Sequence, residues 1–213
     1  MGQSPAHKDV SKYIIQSQEE EIKRIALELH EGVGQNLYSL YNGLQFIESA
    51  VEKPEVKSYL KEMVQTMERT IQEIRLLSVE LHPPSLPILG LVPALKSYIK
   101  LYSSTYGIEV ELLSSGKEKP ISEHSKISVF RVCQEALANI AKFADTSHVK
   151  ISLQWDDDSL CLFINDFGSG FDVSLEESYG LAAMKERMRL CSGECNISSK
   201  IGEGTSIEVF LPL

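Results

Sequence analysis

From about Lys8 to His82 the hydrophobic positions recur every three or four residues. Ile22, Ile25, Leu29, Val33, Leu37, Leu40, Leu44, Ile47 and Val51 form one series; Val56, Leu60, Met63, Met67, Ile71, Ile74, Leu77 and Leu81 form a second. Such steps keep side chains on one face of an α-helix, so each series predicts an amphipathic helix with a single apolar stripe. Glu52-Lys53-Pro54-Glu55 separates them. Proline lacks the N–H that a first helical turn leaves unpaired, so Pro54 predicts the start of the second helix. The pair reads as an antiparallel helical hairpin. A lone hairpin covers both stripes poorly, whereas two hairpins in a four-helix bundle cover them well, which predicts a homodimer built on this half. The alternative is a hairpin packed on the chain's own C-terminal half.

Pro83-Pro84 stops the second helix, and the segment to Gly90 reads as a linker. The period then changes. Gly90 to Tyr106, Ser122 to Ala144 and Gly180 to Cys191 read as helices. Ile108 to Leu113 alternates as a strand, and Val149 to Trp155 and Ser159 to Asn165 flank the turn Asp156-Asp157-Asp158. Asn196 to Lys200 and Ser206 to Leu211 close the chain as a hairpin around Gly202-Glu203-Gly204. This predicts helices on one face of a mostly antiparallel sheet, an α+β two-layer sandwich. The expected division is a helical stub over 1–21, an all-α hairpin domain over 22–84 and an α+β domain over 85–213.

Composition narrows the function classes. The chain has 213 residues, with 43% hydrophobic and 24% charged positions, an ordinary soluble balance. A formal net charge of −9 disfavours a phosphate backbone or an anionic lipid surface, so direct nucleic-acid binding is not expected. Met1 to Val10 is polar and no run approaches the ~18 apolar residues of a membrane helix. The expected location is cytoplasmic, either alone or as the cytoplasmic portion of a membrane receptor. Cys133, Cys161, Cys191 and Cys195 lack paired CxxC spacing, which predicts reduced thiols rather than a zinc site.

Four segments carry candidate chemistry. In Leu29-His30-Glu31-Gly32-Val33-Gly34-Gln35, Leu29 belongs to the stripe, so His30 stands beside the seam and can face solvent. A neutral imidazole is a competent nucleophile toward a phosphoryl group, and the carboxylate of Glu31 can hold one ring nitrogen and take its proton. Gln35 lies a turn and a residue further on. Glu135 and Asn139 are spaced i, i+4 on one helix face, where a carboxylate and an amide oxygen can hold Mg²⁺, and Lys142 adds positive charge nearby. Asp166-Phe167-Gly168-Ser169-Gly170-Phe171 leaves a strand through a glycine-rich turn that lets backbone approach a nucleotide, with Asp166 as acceptor for an adenine amino group. Gly180-Leu181 and Gly202-Glu203-Gly204-Thr205 supply two more glycine turns, the first at a helix N-terminus suited to anions. Each segment alone also fits a plain cap, turn or solvated face. No GxxxxGK[ST] sequence occurs, which excludes a P-loop.

Taken in this order, the segments resemble the sensor histidine kinases of two-component systems, of the nitrate-sensor and desaturase-thermosensor type. Leu81-His82-Pro83-Pro84-Ser85-Leu86 and Leu89-Gly90-Leu91-Val92-Pro93-Ala94-Leu95 are similar to that family's segment between domains. The resemblance covers about Lys23 to Leu213. It implies a dimerisation and phosphotransfer domain over 22–84 and an ATP-binding domain of the gyrase, Hsp90 and histidine-kinase fold over 85–213. It implies His30 as phosphoacceptor, Glu31 as its activating base, and Gln35 as the glutamine tied to dephosphorylation of a response regulator. It implies ATP and Mg²⁺ as ligands, with Asn139 and Glu135 at the metal, Asp166 at the adenine, and Gly168, Gly170, Gly180, Leu181, Gly204, Thr205 and Lys142 around the nucleotide. The implied partners are a second copy of the chain and a response-regulator receiver domain, which leaves DNA one step removed. Two positions depart from the family: Ala138 stands where a second asparagine is usual, and Phe143 where histidine or another polar ring is usual. They predict a working but slow kinase, and the short segment Asp172 to Tyr179 predicts a short lid. The stub Tyr13 to Glu21 would feed a signal into the bundle. Ala138 and Phe143 also keep open a non-catalytic dimeric scaffold with a weakened ATP site. An anti-sigma-type protein serine kinase shares the ATP fold and is a further alternative.

Overall fold

Helical residues 20–27 run into a π-helical turn, Glu28–Val33, and on into α1, Gly34–Ala50. A computed structural model of the chain describes residues 20–83, 85–173 and 179–213. The predicted stub falls outside them apart from its last two residues, as do Pro84 and most of the expected lid. The chain divides into two compact units, the first ending at Pro83 and the second running to Leu213. No helix among the described residues is long and apolar enough to cross a membrane.

In the first unit α1 turns back at Val51, whose backbone is extended, into α2, Pro54–Leu81, with Pro54 in its first turn. Ala26, Leu60, Val64, Ile71 and Leu76 are its buried apolar side chains. Ser78 is buried among them and donates its hydroxyl to the Ala26 carbonyl (2.8 Å), joining the two helices. The guanidinium of Arg75 lies 5.9 Å from the centroid of the Tyr38 ring and adds a cation–π contact. The predicted stripes are only half used. Leu60 and Ile71 are buried, but Leu40 stays 58% exposed, Ile47 49% and Leu77 48%. Two helices share one narrow seam, so the flanks of each stripe remain open.

In the second unit the segment expected to be a linker contains α3, Ser85–Leu89, whose Leu86 is buried. Gly90, at φ +91, then turns the chain into α4, Leu91–Tyr106. The first amide of α4, Leu91 N–H, donates to the Glu118 carboxylate at 2.9 Å, which satisfies one of the orphan donors of a helix start. β1, Glu109–Ser115, follows. The Ser122 hydroxyl caps α5, Glu123–Asn139, by accepting Ser125 N–H at 3.0 Å. α5 continues through a π-helical turn, Ile140–Ala144, which Asp145 ends with a positive φ. Then come β2, His148–Trp155, β3, Ser159–Asp166, α6, Tyr179–Leu190, β4, Glu194–Lys200, and β5, Gly204–Pro212.

The sheet order is β1-β2-β3-β5-β4, with β1 parallel to β2 and every other pair antiparallel. Alternation puts Val149, Ile151, Leu153 and Trp155 of β2, Leu160, Leu162 and Ile164 of β3, and Ile207, Val209 and Leu211 of β5 on one buried face. Tyr98 and Tyr102 of α4 and Phe130 of α5 are fully buried in the same core, and Tyr102 donates its hydroxyl to Leu137 O across the two helices. At about 1.5–3 kcal/mol for each fully buried large apolar side chain, this face is the main stabilising term of the unit. Asp166 is the one carboxylate in it among the described residues, at the end of β3, and it opens the site.

Candidate active site

The first unit presents His30 inside the π-helical turn, flanked by Glu31, with both exposed. Gly34 N–H donates to Leu29 O, five residues back, where an α-helix would pair residues four apart. An α-helix would set Gln35 about 140° around the axis from His30. The wider turn rotates the chain less per residue, by about 80° instead of 100°, and so brings Gln35 toward the His30 face. The sequence predicted an unbroken α-helix here. The pair of glycines, Gly32 and Gly34, was the available signal, because small residues admit such a distortion.

In the second unit a cavity of about 420 Å³ opens where α5, the Asp166 turn, the start of α6 and the start of β5 meet. Ala136, Asn139, Ile140, Lys142, Phe143 and Ala144 form one wall, and Ile164, Asp166, Thr205 and Ile207 form the floor. Ser169, Gly170 and Phe171 close one end, and Gly180 and Leu181 the other. Of the residues read from sequence, Asn139, Lys142, Asp166, Gly170, Gly180, Leu181 and Thr205 therefore converge on one cavity. Glu135, Gly168 and Gly204 stand outside its lining and support it.

The supports are close backbone approaches. A side chain on Gly168 would collide with the Ala144 carbonyl, one on Gly170 with Lys200 O, and one on Gly204 with Asp166 O. A side chain on Gly180 would collide with the Glu135 carboxylate and come within 3.5 Å of Asn139 Nδ2. Glu135 and Asn139, one turn apart on α5, thus reach the same point at the head of α6. The Glu135 carboxylate supplies an oxygen here and the Asn139 amide supplies a second when turned about its axis, a pair that fits a Mg²⁺ ion, which takes one or two protein ligands and fills the rest of its shell with water and phosphate oxygens.

Asp166 is 5% exposed, and its Oδ1 accepts Gly168 N–H at 2.9 Å. That bond fixes the carboxylate toward the cavity and leaves its second oxygen as an acceptor. An apolar slot with one oriented carboxylate, flanked by Ile164 and Ile207, fits a purine carrying an amino group. Phe143 lines the cavity while staying 73% exposed, so its ring stands at the mouth. Sequence reasoning missed two serines. Ser169 donates its hydroxyl to Phe143 O (3.0 Å) and its amide to Ala144 O (2.7 Å), tying the Asp166 turn to the π-helical wall. Ser199, on β4, binds the other side of the site. Ser169 sits between the two glycines of the Asp166 turn, which drew attention to backbone approach rather than to its hydroxyl, and Ser199 belongs to no glycine turn or charged pair, so nothing local marked it.

Comparison with known proteins bears on what this arrangement is. Residues 124–213 match the family described as histidine kinase-, DNA gyrase B- and HSP90-like ATPase. Residues 21–86 match a histidine kinase family, HisKA_3. The chain is 33% identical over 205 residues to the signal transduction histidine-protein kinase/phosphatase DegS of Brevibacillus brevis, covering 94% of this chain and 53% of that protein. It is 36% identical over 202 residues to the oxygen sensor histidine kinase NreB of Staphylococcus carnosus (strain TM300), covering 93% of this chain and 58% of that one. The chain thus spans little more than half of these relatives' length. The histidine kinase domain of the Erythrobacter litoralis EL346 blue-light activated histidine kinase shares the fold at a TM-score of 0.51 and 13% identity, covering 84% of this chain and 94% of that one. The two families account for both units, and the chain belongs to the HisKA_3-type sensor histidine kinases, resembling the nitrate-sensor type.

Proposed function

We propose that this chain is the catalytic core of a two-component sensor kinase that binds ATP with Mg²⁺, phosphorylates its own His30 and passes the phosphoryl group to an aspartate of a response-regulator receiver domain. The observation that carries the reading is the convergence of Asp166, Asn139, Lys142 and three glycine turns on one cavity in the second unit, with an exposed His-Glu pair in the first. In this reading residues 22–84 are the dimerisation and phosphotransfer domain and residues 85–213 the ATP-binding domain. The exposed flanks of the hairpin stripes, Leu40 and Ile47 among them, fit a four-helix bundle with a second copy.

The second oxygen of Asp166 accepts the adenine amino group, and Ile164 and Ile207 cover the ring. Gly180, at the head of α6, offers its amide toward the phosphates. Lys142 offsets their charge. Asn139 and Glu135 hold the Mg²⁺, which when bound neutralises charge on the phosphate oxygens. In the transfer, the lone pair of one His30 ring nitrogen forms the N–P bond as the bond from the γ-phosphorus to the ADP oxygen breaks. Glu31 takes the proton from the other ring nitrogen. In the second transfer the N–P bond breaks and a carboxylate oxygen of the regulator forms the new P–O bond. Gln35, drawn toward the His30 face, is placed to orient a water that hydrolyses the regulator's phosphoaspartate. The kinase/phosphatase designation of the DegS relative supports that second activity.

The test is incubation with γ-labelled ATP and Mg²⁺ of the chain and of His30→Gln. Acid-labile label on the unmodified chain alone is the expected result. Acid-stable label points to the serine-kinase reading, absence of both label and calorimetric ATP binding points to the scaffold reading, and ATP binding without any label points to a phosphatase-biased or signal-locked state.

A further inference from the structure

One row of the sheet's inner face is polar where the rows beneath it are apolar. Asn165 pairs with Ser206 across β3 and β5, so the next residues, Asp166 and Thr205, stand opposite each other, and both line the cavity. Across β5 and β4 Thr205 pairs with Ser199. Asp166, Thr205 and Ser199 therefore run side by side over three strands.

The hydroxyl of Ser199 has three partners and a single proton. It accepts Phe171 N–H at 2.9 Å, donates to Gly204 O at 2.9 Å, and lies 3.0 Å from Thr205 Oγ1. Its proton is committed to Gly204, so Thr205 is the donor in the third contact. The Thr205 proton then points along the sheet toward Ser199, and its lone pairs are what it offers the cavity. Opposite it, the carboxyl group of Asp166 accepts Gly168 N–H through Oδ1 and presents its other oxygen to the cavity. Both polar side chains on this floor present acceptors.

Adenine and guanine differ at this edge. Adenine carries an amino group, a donor, where guanine carries a carbonyl oxygen, an acceptor. Facing the 6-position, an acceptor on the floor suits the first and opposes the second. We propose that Ser199 is a specificity-determining positioning residue: by holding the Thr205 proton out of the cavity it makes the site choose an amino-purine over an oxo-purine nucleotide. The proposal rests on the nucleotide reading of this cavity. Without the Ser199 oxygen, Thr205 rotates its hydroxyl into the cavity and can donate to a guanine oxygen.

Calorimetric titration of ATP and of GTP, each with Mg²⁺, into the full chain, Ser199→Ala and Ser199→Thr tests it. The ratio of GTP to ATP dissociation constants is expected to fall about fivefold in Ser199→Ala, the factor for one net hydrogen bond, and to return in Ser199→Thr, which keeps the hydroxyl. A role in packing alone weakens both nucleotides together, so an unchanged ratio in Ser199→Ala overturns the proposal. Loss of selectivity in Ser199→Thr equal to that in Ser199→Ala also overturns it. If Ser199→Ala does not fold, Ser199→Cys, of similar volume but a weak hydrogen-bonding thiol, reads the same ratio. Failure of the unmodified chain to bind either nucleotide refutes the nucleotide reading itself, and this proposal with it. ATP binding with ratios equal in all chains refutes only the role of Ser199.

Discussion

Replacing Asp166 by asparagine changes the site by one charge and one donor while keeping its shape. Asp166 is 5% exposed and gives one carboxylate oxygen to Gly168 N–H at 2.9 Å, which leaves the second for the ligand. Asparagine can supply only one acceptor oxygen. If that oxygen stays on Gly168, the new NH₂ group faces the adenine amino group, donor against donor. If the amide flips, the NH₂ group faces Gly168 N–H instead, and the turn loses its anchor. Either arrangement forfeits a hydrogen bond to a charged group, worth about 1.5–3 kcal/mol. That converts to a dissociation constant for ATP roughly 10- to 150-fold weaker. Calorimetric titration with Mg·ATP measures it, with circular dichroism as a check that the variant is folded. Purine riboside triphosphate, which lacks the amino group, is the control: it should bind the unmodified chain weakly and lose little more in Asp166→Asn, because the two changes remove the same contact. Equal ATP affinity of a folded Asp166→Asn chain would refute the assignment of Asp166.

Three further outcomes follow from the geometry. Gly204→Ala meets the Asp166 carbonyl at a φ of +82, so it should cost at least about 2 kcal/mol, lower the melting temperature by several degrees and weaken ATP binding in parallel. Ser78→Ala removes the buried bond to Ala26 O that joins the two helices, and a urea midpoint corresponding to a loss of about 1 kcal/mol checks it. Alkali should destabilise the chain. Burial pushes the Cys133 thiol up to about 12 and the Cys195 thiol up to about 11, and it raises the Tyr102 phenol as well. Unfolded thiols ionise near ~8.5 while the folded ones stay protonated. Stability is therefore complete below that value and falls as pH rises toward the folded values, by about 1.4 kcal/mol per pH unit for each retained proton. Melting curves between about pH 8 and pH 10.5 read the slope, which Cys133→Ala should flatten.

Much of the fold was legible because it rests on periodicity. Leu60 and Ile71 fell on the predicted stripe and are buried, and the alternation of β2 and β3 sorts their side chains into the faces expected of them. The cavity was legible where a residue type is unusual in its setting: Asp166 ends an apolar strand, and Gly170 and Gly180 sit where backbone must come close. Three features were not legible, each because it depends on partners distant in sequence or on backbone geometry. The π-helical turn at His30 leaves the three-to-four spacing intact over the short window that would reveal it. Leu86 looked like part of a proline-rich linker because its burial depends on the second unit as a whole, in which α3 meets both α4 and α5. Glu118 and Ser199 act on residues 27 and 28 positions away, Leu91 and Phe171 respectively, which only the folded register brings near. Ala138 and Phe143 remain the departures from the family. Phe143 keeps the cavity wall in place through its carbonyl bond with Ser169, a contact that any side chain at that position would allow.

If the chain is a histidine kinase core, phosphoryl groups from ATP arrive on His30. Phosphopeptide mapping at neutral pH, by mass spectrometry of the chain after incubation with Mg·ATP, tests it without reliance on any variant. The expected result is one modified peptide with the phosphoryl group on His30, lost on brief acid treatment. A phosphoryl group mapped to a serine, threonine or another histidine contradicts it.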